Sequence, residues 1–286
     1  MSYMKAYTLR IFATLAVAAA ISAAAPARAL DPVSAGALDA AIQGEHRTAE
    51  DKARDTYRKP KAVLDFLGFR SDMTVVEIWP GGGWYSKILA PALSERGAFY
   101  AAQYSVNPAY GYQRRYFGAF LTMLGETPDL YRDVKVTHLS LPYQLEIAPA
   151  GSADMVVTFR NVHNWVGRGY ASGRYAGVAF TAMYDALKPG GVLGIVDHRW
   201  PDPATEDPDH GNGYISKELT ISLAEAAGFR LVGESDILRN PKDTHDHPRG
   251  VWTLPPTLAL GDEGRDKYIA IGESDRFLLK FEKPVE

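Results

Sequence analysis

The sequence predicts an α/β protein: a doubly wound, mostly parallel seven-stranded sheet with helices on both faces, preceded by an N-terminal helical extension. From residue 60 onward, β-branched segments alternate with segments of helical periodicity, an order typical of parallel sheets whose strands are joined by helices. A Gly-rich turn at residues 81–83 separates the first β-branched segment from the helix after it. These patterns predict one domain over residues 60–286, behind an extension over residues 30–59.

The expected strands are short and apolar. The first covers residues 74–78 and reads Thr-Val-Val-Glu-Ile, a run typical of a strand that is buried on both faces. The other six expected strands cover residues 98–103, 134–139, 154–159, 192–196, 231–234 and 276–281. The last of them is expected to close the sheet as its seventh strand.

Several expected helices have recognisable start and stop residues. Pro60 suits the first position of a helix that Gly68 ends. Thr48 to Asp51 resembles a capping box that opens a charged helix through Tyr57. The remaining expected helices cover residues 35–43, 85–93, 112–124, 178–187 and 216–227. The segment 240–267 is rich in Pro, Gly, His and Asp, so we expect a long loop or an insertion there.

The composition excludes several classes of protein. Of the 286 residues, 46% are apolar and 23% are charged, which excludes a disordered chain. The 31 Lys and Arg residues nearly balance 34 Asp and Glu, and a net charge of −3 gives no field that attracts nucleic acid. The sequence contains no cysteine, which excludes disulfides, thiolate metal sites and cysteine nucleophiles.

Residues 1–29 have the three regions of a secretion signal. Lys5 and Arg10 are basic, residues 11–25 are almost entirely apolar, and a small-residue pattern ends at Ala29. The alternative is an N-terminal membrane anchor, but the apolar run is shorter than the roughly 20 residues that span a bilayer. We therefore expect cleavage after Ala29 and a periplasmic or secreted protein. No other apolar run is long enough to cross a membrane.

A ligand site is expected at the carboxyl ends of the strands, where open parallel sheets bind their ligands. The first strand leads into Glu77-Ile-Trp-Pro-Gly-Gly-Gly-Trp84. Glycines let the backbone approach a ligand closely, and their N–H groups at the start of a helix attract a carboxylate or phosphate. A tight turn without a ligand is the alternative interpretation.

Four motifs occur in a fixed order along the chain: Glu77 with the glycine turn, Gln103 at the end of the second strand, the segment 154–165, and Leu-Lys-Pro-Gly-Gly at 187–191. With these motifs, residues 60–286 resemble the class I S-adenosylmethionine-dependent methyltransferases, which have a Rossmann-like fold. The resemblance is greatest to a group of predicted methyltransferases with the same Glu-Ile-Trp-Pro-Gly-Gly-Gly-Trp turn, some of which carry export signals.

The resemblance implies a cofactor site for S-adenosyl-L-methionine. It places Glu77, Gly81, Gly82 and Gly83 around the methionine part of the cofactor. Gln103 takes the place of the acidic residue that grips the ribose hydroxyls in the family. An amide lacks the two charge-assisted acceptors of a carboxylate, so we expect Gln103→Glu to keep or improve affinity.

Two more residues enter the site through the resemblance. Trp79 stands where the family has its first glycine, so either the turn differs or the indole covers the cofactor. Tyr57 lies in the N-terminal extension, where family members often lay a helix over the cofactor. For Arg54, in the same extension, we expect a solvated helix face.

The resemblance also places residues 161–165 in the pocket where the methyl group meets its acceptor. His163 follows the fourth strand at the site end, and imidazole is a common general base near neutral pH; a histidine packed in the loop is the alternative. Asn161 and Asn164 could orient the acceptor or cap the turn. Trp84 and Trp165 could stack on a ligand or belong to the core.

Three short segments contain residue types that bind metals. Asp197-His198, Asp209-His210 and His245-Asp246-His247 offer oxygen and nitrogen donors. None has the spacing of a zinc signature, so no metal is expected.

The sequence therefore predicts an exported S-adenosylmethionine-dependent methyltransferase that acts on a small molecule. The alternative is a non-catalytic or repurposed periplasmic binding protein that uses the same cleft for another ligand. The glutamine at Gln103, the tryptophan at Trp79 and export itself favour this alternative. A hydrolase is disfavoured, because the sequence has no Gly-x-Ser-x-Gly and no His-Glu-x-x-His motif.

Overall fold

A computed structural model describes residues 30–167 and 174–285 of the chain. The expected secretion signal at residues 1–29 lies outside the described residues. Among the helices that are described, none is both long enough and apolar enough to cross a bilayer.

One seven-stranded sheet forms the centre of the fold. Its strands are β1 (Thr74–Ile78), β2 (Ala98–Gln103), β3 (Lys135–His138), β4 (Ala153–Phe159), β5 (Leu187–His198), β6 (Arg230–Ser235) and β8 (Arg276–Glu282), and a separate short strand β7 (Pro248–Val251) precedes β8. The strand order is β3-β2-β1-β4-β5-β8-β6. Strands β1 to β5 are parallel, and β8 runs antiparallel between β5 and β6. This mostly parallel sheet confirms the predicted fold class.

The strand order reverses between β1 and β4. The chain moves outward from β1 to β2 and β3, then returns to place β4 on the other side of β1. A crevice outside the carboxyl ends of the strands is expected at such a switch point. Three side chains of β1, Val75, Val76 and Ile78, are completely buried, so the strand that leads into the crevice is firmly anchored.

Helices surround the sheet. They are α1 (Pro32–Gln43), α2 (Ala49–Ala53), α3 (Asp55–Arg58), α4 (Pro60–Leu67), α5 (Ser86–Leu93), α6 (Gly111–Glu126), α7 (Pro128–Tyr131), α8 (Val162–Val166), α9 (Ala176–Ala186), α10 (Lys217–Ala226) and α11 (Arg265–Ile271). The helices α7, α8 and α11 have no counterpart among the predicted elements, because helices of fewer than two turns show no readable periodicity. In the segment 240–267, the structure has mostly turns, together with β7 and the start of α11.

The N-terminal extension packs on the domain rather than standing apart from it. The Thr48 hydroxyl accepts a hydrogen bond from the Asp51 backbone N–H, and the Asp51 carboxylate accepts one from Thr48 N–H, which confirms the predicted capping box. Lys59 has a φ of +41°, a left-handed conformation that separates α3 from α4 and directs α3 towards the crevice end of the sheet, where Arg58 reaches Glu273.

Strand β5 is longer than predicted and begins at Leu187 instead of residue 192. The reason is pairing with the end of the chain: Gly190 N–H donates to Lys283 O at 2.8 Å, and Lys283 N–H donates to Gly191 O at 2.9 Å. The end of the chain thus supplies backbone partners that extend β5 through Gly190 and Gly191, a pair that the sequence predicts to form a turn.

Candidate functional site

The glycine turn after β1 depends on glycine at two of its three positions. Gly81 has a φ of +59° and Gly83 a φ of +85°, which glycine adopts without steric cost. A Cβ on Gly83 would lie 2.9 Å from Met123 Sδ, so Gly83 also lets α6 approach. Gly82 differs, because a Cβ there would meet only Tyr116 Cδ1 at 3.7 Å. The space beside Gly82 is therefore open to a ligand.

Glu77 lies in β1, just before this turn, and is 2% exposed. The Ser86 hydroxyl donates to its Oε2 at 2.6 Å. Burial raises the pKa of Glu77 to about 8, although the Ser86 hydrogen bond and the charge of Arg58 act in the opposite direction. A buried carboxyl group that is protonated near neutrality is able to ionise when a cation binds beside it.

The Gln103 side chain is used in bracing the turn. Its Nε2 donates to Gly81 O at 2.7 Å, its Oε1 accepts from Tyr104 N–H at 3.2 Å, and the residue is completely buried. With these contacts in place we expect a carboxylate to weaken the site rather than improve it, because a carboxylate at this position could not donate to Gly81 O. A ribose contact of Gln103 stays a prediction.

Trp79 has a left-handed backbone conformation, with a φ of +46°. The indole Nε1 donates to Leu139 O at 2.8 Å, and the ring packs against Tyr104 and Trp165. These contacts show how Trp79 is held in the turn, and both alternatives, a turn that differs from the family pattern and an indole that covers the cofactor, stay predictions. Contact between Trp79 and a cofactor stays a prediction.

His163 is the predicted base, and the structure gives it a partner. Its Nδ1 donates to Asp197 Oδ1 at 2.8 Å, and its backbone N–H lies 3.2 Å from Asp197 Oδ2. Both residues are buried. The carboxylate thus fixes the imidazole with its proton on Nδ1, and Nε2 is left as the basic atom.

Asn161 has a structural tie. Its Nδ2 donates to Ile78 O at 2.9 Å and to Thr158 Oγ1 at 3.1 Å, so it joins the ends of β1 and β4. Asn161 thus holds Ile78 and Thr158 in place. Its predicted contact with an acceptor stays a prediction. Trp165 is completely buried, which favours its core interpretation.

His198 completes a compact group with His163 and Asp197, whose ligand atoms all lie within 4.8 Å of one another. The Nδ1 of His198 lies 2.6 Å from Ser274 Oγ. Burial, followed by the charges of His163 and Arg160, holds the pKa of His198 well below its ordinary value, so the ring is neutral. Asp197 already accepts three N–H groups, including that of His198 at 2.8 Å. The carboxylate of Asp197, held by two backbone N–H groups, therefore orients the imidazole of His163.

Four arginines surround one carboxylate beside this group. Glu273 accepts hydrogen bonds from Arg54 Nε at 2.7 Å, Arg58 Nε at 3.1 Å and Arg276 Nη2 at 2.7 Å. Burial would raise the pKa of Glu273, but the charges of Arg276, Arg58, Arg54 and Arg160 together hold it well below its ordinary value. The solvated helix face expected for Arg54 is wrong, because its ion pair with Glu273 draws it inward.

The two remaining aromatic candidates also lie at this arginine group. Trp84 is buried, and the Arg58 guanidinium carbon lies 4.5 Å from the centre of its ring, a cation–π distance. Tyr57 is 40% exposed, and its ring packs so closely on Gly272 that a Cβ there would clash with Cε1. The structure therefore places Tyr57 next to the segment that carries Glu273.

Glu273 and Arg276 are not among the predicted site residues, and Asp197 was considered only as a metal ligand. Glu273 is separated from Arg54 by 219 positions, and no local pattern indicates such a contact. For Asp197 a signal exists: it stands near the end of the strand beside β4, at the same edge of the sheet as His163. A cavity of about 430 Å³ lies elsewhere, between α1 and α5, and is lined by small side chains such as Ala37 and Ala41.

Comparisons with known proteins bear on the fold. No family model matches the sequence, and no curated protein matches it. An S-adenosylmethionine-dependent methyltransferase from Aquifex aeolicus has a similar structure, with a TM-score of 0.51 and 16% identity over 81% of this chain and 93% of that one. The cyclase SpnF gives a TM-score of 0.54 and 16% identity over 89% and 94%.

A third similar structure is Haemonchus contortus phospholethanolamine N-methyltransferase 2, in complex with phosphomonomethylethanolamine and S-adenosylhomocysteine. It gives a TM-score of 0.51 and 16% identity over 88% of this chain and 58% of that one. At this identity the likeness establishes only the fold that this chain shares with these structures.

Proposed function

We propose that this protein is an S-adenosylmethionine-dependent methyltransferase acting on a small-molecule acceptor. One observation carries the proposal: the glycine turn with buried Glu77 and the buried pair His163–Asp197 lie at the carboxyl ends of neighbouring strands, at the switch point of a methyltransferase fold. The bound S-adenosylhomocysteine in the Haemonchus structure supports the same cofactor class.

The residues at the turn fit the methionine part of this cofactor. Its amino and sulfonium groups are cationic, and Glu77 offers them a buried acid that is hydrogen-bonded only to the Ser86 hydroxyl among the described contacts. The open space beside Gly82 allows the close approach of a ligand. Gln103 contributes by holding the turn in shape through Gly81 O.

When bound, the cofactor would supply an electrophilic methyl group to a nucleophilic atom of the acceptor. His163 then accepts the proton of the acceptor at Nε2, while Asp197 keeps the Nδ1 proton in place and stabilises the imidazolium that forms. The ring centre of Trp252, in the segment 240–267, lies 6.4 Å from that of His163, so this segment borders the proposed acceptor site.

Export belongs to this proposal. The charged, apolar and small-residue regions of residues 1–29 support a cleaved signal peptide and a periplasmic or secreted enzyme. N-terminal sequencing of the native protein tests this: a chain that starts at Leu30 supports export, and a cytoplasmic product that starts at Met1 or Ser2 contradicts it.

A second candidate function is that of a ligand-binding protein that uses the same crevice without methyl transfer. Its support is Gln103, which stands at the ribose position of the family and is already bonded within the protein through both polar atoms. The similarity to a cyclase supports it further, because the fold also serves other chemistry.

Calorimetry separates the two candidates. The mature chain is titrated with S-adenosylmethionine and, separately, with S-adenosylhomocysteine. A methyltransferase binds both compounds at one site, whereas a repurposed crevice gives no heat with either. Gly82→Val serves as the control, because it places a side chain in the space beside the turn, where a Cβ meets only Tyr116 Cδ1 at 3.7 Å.

A further inference from the structure

The arginines around Glu273 carry more positive charge than this one carboxylate neutralises. Three of them form hydrogen bonds with Glu273, yet Nη2 of Arg54 and Nη2 of Arg58 are buried and have no hydrogen-bond partner among the described residues. Arg58 is only 2% exposed. A buried guanidinium N–H without a partner costs more than a hydrogen bond contributes, so these groups point to a missing acceptor.

Arg160 adds a fourth cation to this group. Its side chain is half-buried, and its charge acts on Glu273 without one of the salt bridges that the other three arginines form with that carboxylate. Burial and, after it, the charge of Arg160 hold the pKa of Arg58 well below its ordinary value, which shows that the two guanidinium groups are close. Arg160 also has a φ of +65°, a left-handed conformation that is uncommon for arginine.

The position of the arginines links them to both parts of the proposed active site. Towards the glycine turn, Arg58 lies over Trp84, and the Tyr116 ring that faces Gly82 is close enough to influence Arg160. On the side of His163, Arg276 of β8 lies opposite His198 of β5 in the antiparallel register. An anion bound here would therefore lie between the turn and His163.

We propose that Arg54, Arg58 and Arg160 form a subsite for an oxyanion, and that the methyl acceptor of this enzyme carries a carboxylate or phosphate group. Guanidinium groups bind both anions through paired, charge-assisted hydrogen bonds. Glu273 keeps the arginines in place while leaving them a net positive charge. This inference rests on the proposed methyltransferase function for the identity of the ligand as an acceptor.

The cofactor has a carboxylate of its own, so the test must distinguish the two sources. Inorganic phosphate is titrated into the mature protein at constant ionic strength, with and without saturating S-adenosylhomocysteine, and binding is followed by calorimetry. The variants are Arg160→Gln and Arg160→Lys. The control is Arg96→Gln, since Arg96 is half-exposed and lies between α5 and β2, at the amino end of that strand.

The expected result is one phosphate site whose Kd is unchanged by S-adenosylhomocysteine. Arg160→Gln should weaken phosphate binding by about tenfold or more, because it removes charge-assisted hydrogen bonds. The phosphate Kd of Arg160→Lys should lie between those of Arg160→Gln and the wild type, and Arg96→Gln should bind phosphate as the wild type does. All four proteins should bind S-adenosylhomocysteine with equal affinity.

Two results would overturn the proposal. Competition between phosphate and S-adenosylhomocysteine would mean that the arginines hold the carboxylate of the cofactor, and unchanged phosphate binding in Arg160→Gln would mean that they form no anion site. A third result separates this inference from the proposed function. If phosphate binds through Arg160 while S-adenosylhomocysteine does not bind at all, the oxyanion subsite stands and the methyltransferase proposal fails.

Discussion

The Nδ1 atom of His163 lies 2.8 Å from Oδ1 of Asp197, and both side chains are buried at the carboxyl ends of neighbouring strands. Asp197 also accepts the backbone N–H groups of His163 and His198. Backbone and side chain together fix the imidazole in one orientation, which is the condition for a histidine that removes a proton from a bound acceptor.

We predict that His163→Asn lowers kcat by about 10²–10⁴-fold, because the amide cannot take up the proton. Cofactor affinity should barely change, since no contact among the described residues places His163 at the glycine turn. The measurement is steady-state kinetics beside calorimetry with S-adenosylhomocysteine. A variant that loses cofactor binding instead, or that keeps full activity, contradicts the role of His163 as the base.

Asp197→Asn tests the positioning role of the carboxylate. An amide can donate to Nδ1 and so select the wrong tautomer, and we expect kcat to fall by roughly 10²-fold or more. The pH dependence of kcat should change together with its magnitude. If only thermal stability falls while kcat and its pH profile are retained, Asp197 supports the fold and does not act through His163.

Glu77 makes stability depend on pH. Its pKa rises from 4.5 to about 8 in the folded protein, so between these values the folded state holds a proton that the unfolded state has lost. Stability should therefore be greatest below about pH 4.5, as far as Glu77 is concerned, and decline as the pH rises to about 8, by up to about 1.4 kcal/mol per pH unit.

Glu77→Gln should remove this decline, which urea unfolding at a series of pH values measures. The wild type should also release about one proton when a cationic cofactor binds near pH 7, because the carboxyl group ionises beside the new charge. Calorimetry in buffers of different ionisation enthalpy detects this proton. Parallel pH profiles of wild type and Glu77→Gln would show that Glu77 does not titrate in this range.

The glycine turn offers a pair of variants with opposite expectations. Gly82→Val should retain the melting temperature and lose cofactor binding, because its branches enter open space beside the turn. Gly83→Val should lose stability by about 1–3 kcal/mol, because its Cβ meets Met123 and Phe120 and its φ is +85°. Thermal unfolding and calorimetry of both variants check this, and equal cofactor binding by Gly82→Val and wild type would rule out the turn as the site.

Gln103→Glu should weaken cofactor binding and destabilise the protein by about 1–3 kcal/mol. The change removes the donor to Gly81 O, at present 2.7 Å away, and puts a carboxylate oxygen against a carbonyl oxygen. Gln103→Met, which removes the donor without adding charge, is the matched control. Tighter binding by Gln103→Glu would show that the side chain leaves Gly81 to grip the ribose.

The sequence was sufficient for the sheet and for the turn. The first strand was predicted with the bounds that the structure has, Thr74–Ile78, because a β-branched run before a glycine turn has few alternatives. His163 could be found in the same way, since it closely follows a strand end. The roles of Asp197, which bonds to His163, and of Glu273, which bonds to three arginines, could not be predicted. Their contacts depend on the order of the strands in the sheet and not on residues nearby in the sequence.

The local sequence pattern also did not predict the hydrogen-bond partners of polar side chains at the strand ends. Gln103 stands at a strand end, where a ligand contact is expected, yet its amide supports Gly81. Asn161 is likewise bonded to Ile78 O in the neighbouring strand. Such hydrogen bonds form only after the strands are assembled, so the same residue type at the same position can serve either purpose.

The most direct test of the central claim is a crystal structure of the mature protein with S-adenosylhomocysteine. We expect the amino acid part of the ligand to lie against Gly81 and Gly82 with its amino group at Glu77, and the sulfur to lie on the side of His163. An amino acid part bound away from this turn, or a sulfur that faces away from His163, would contradict it.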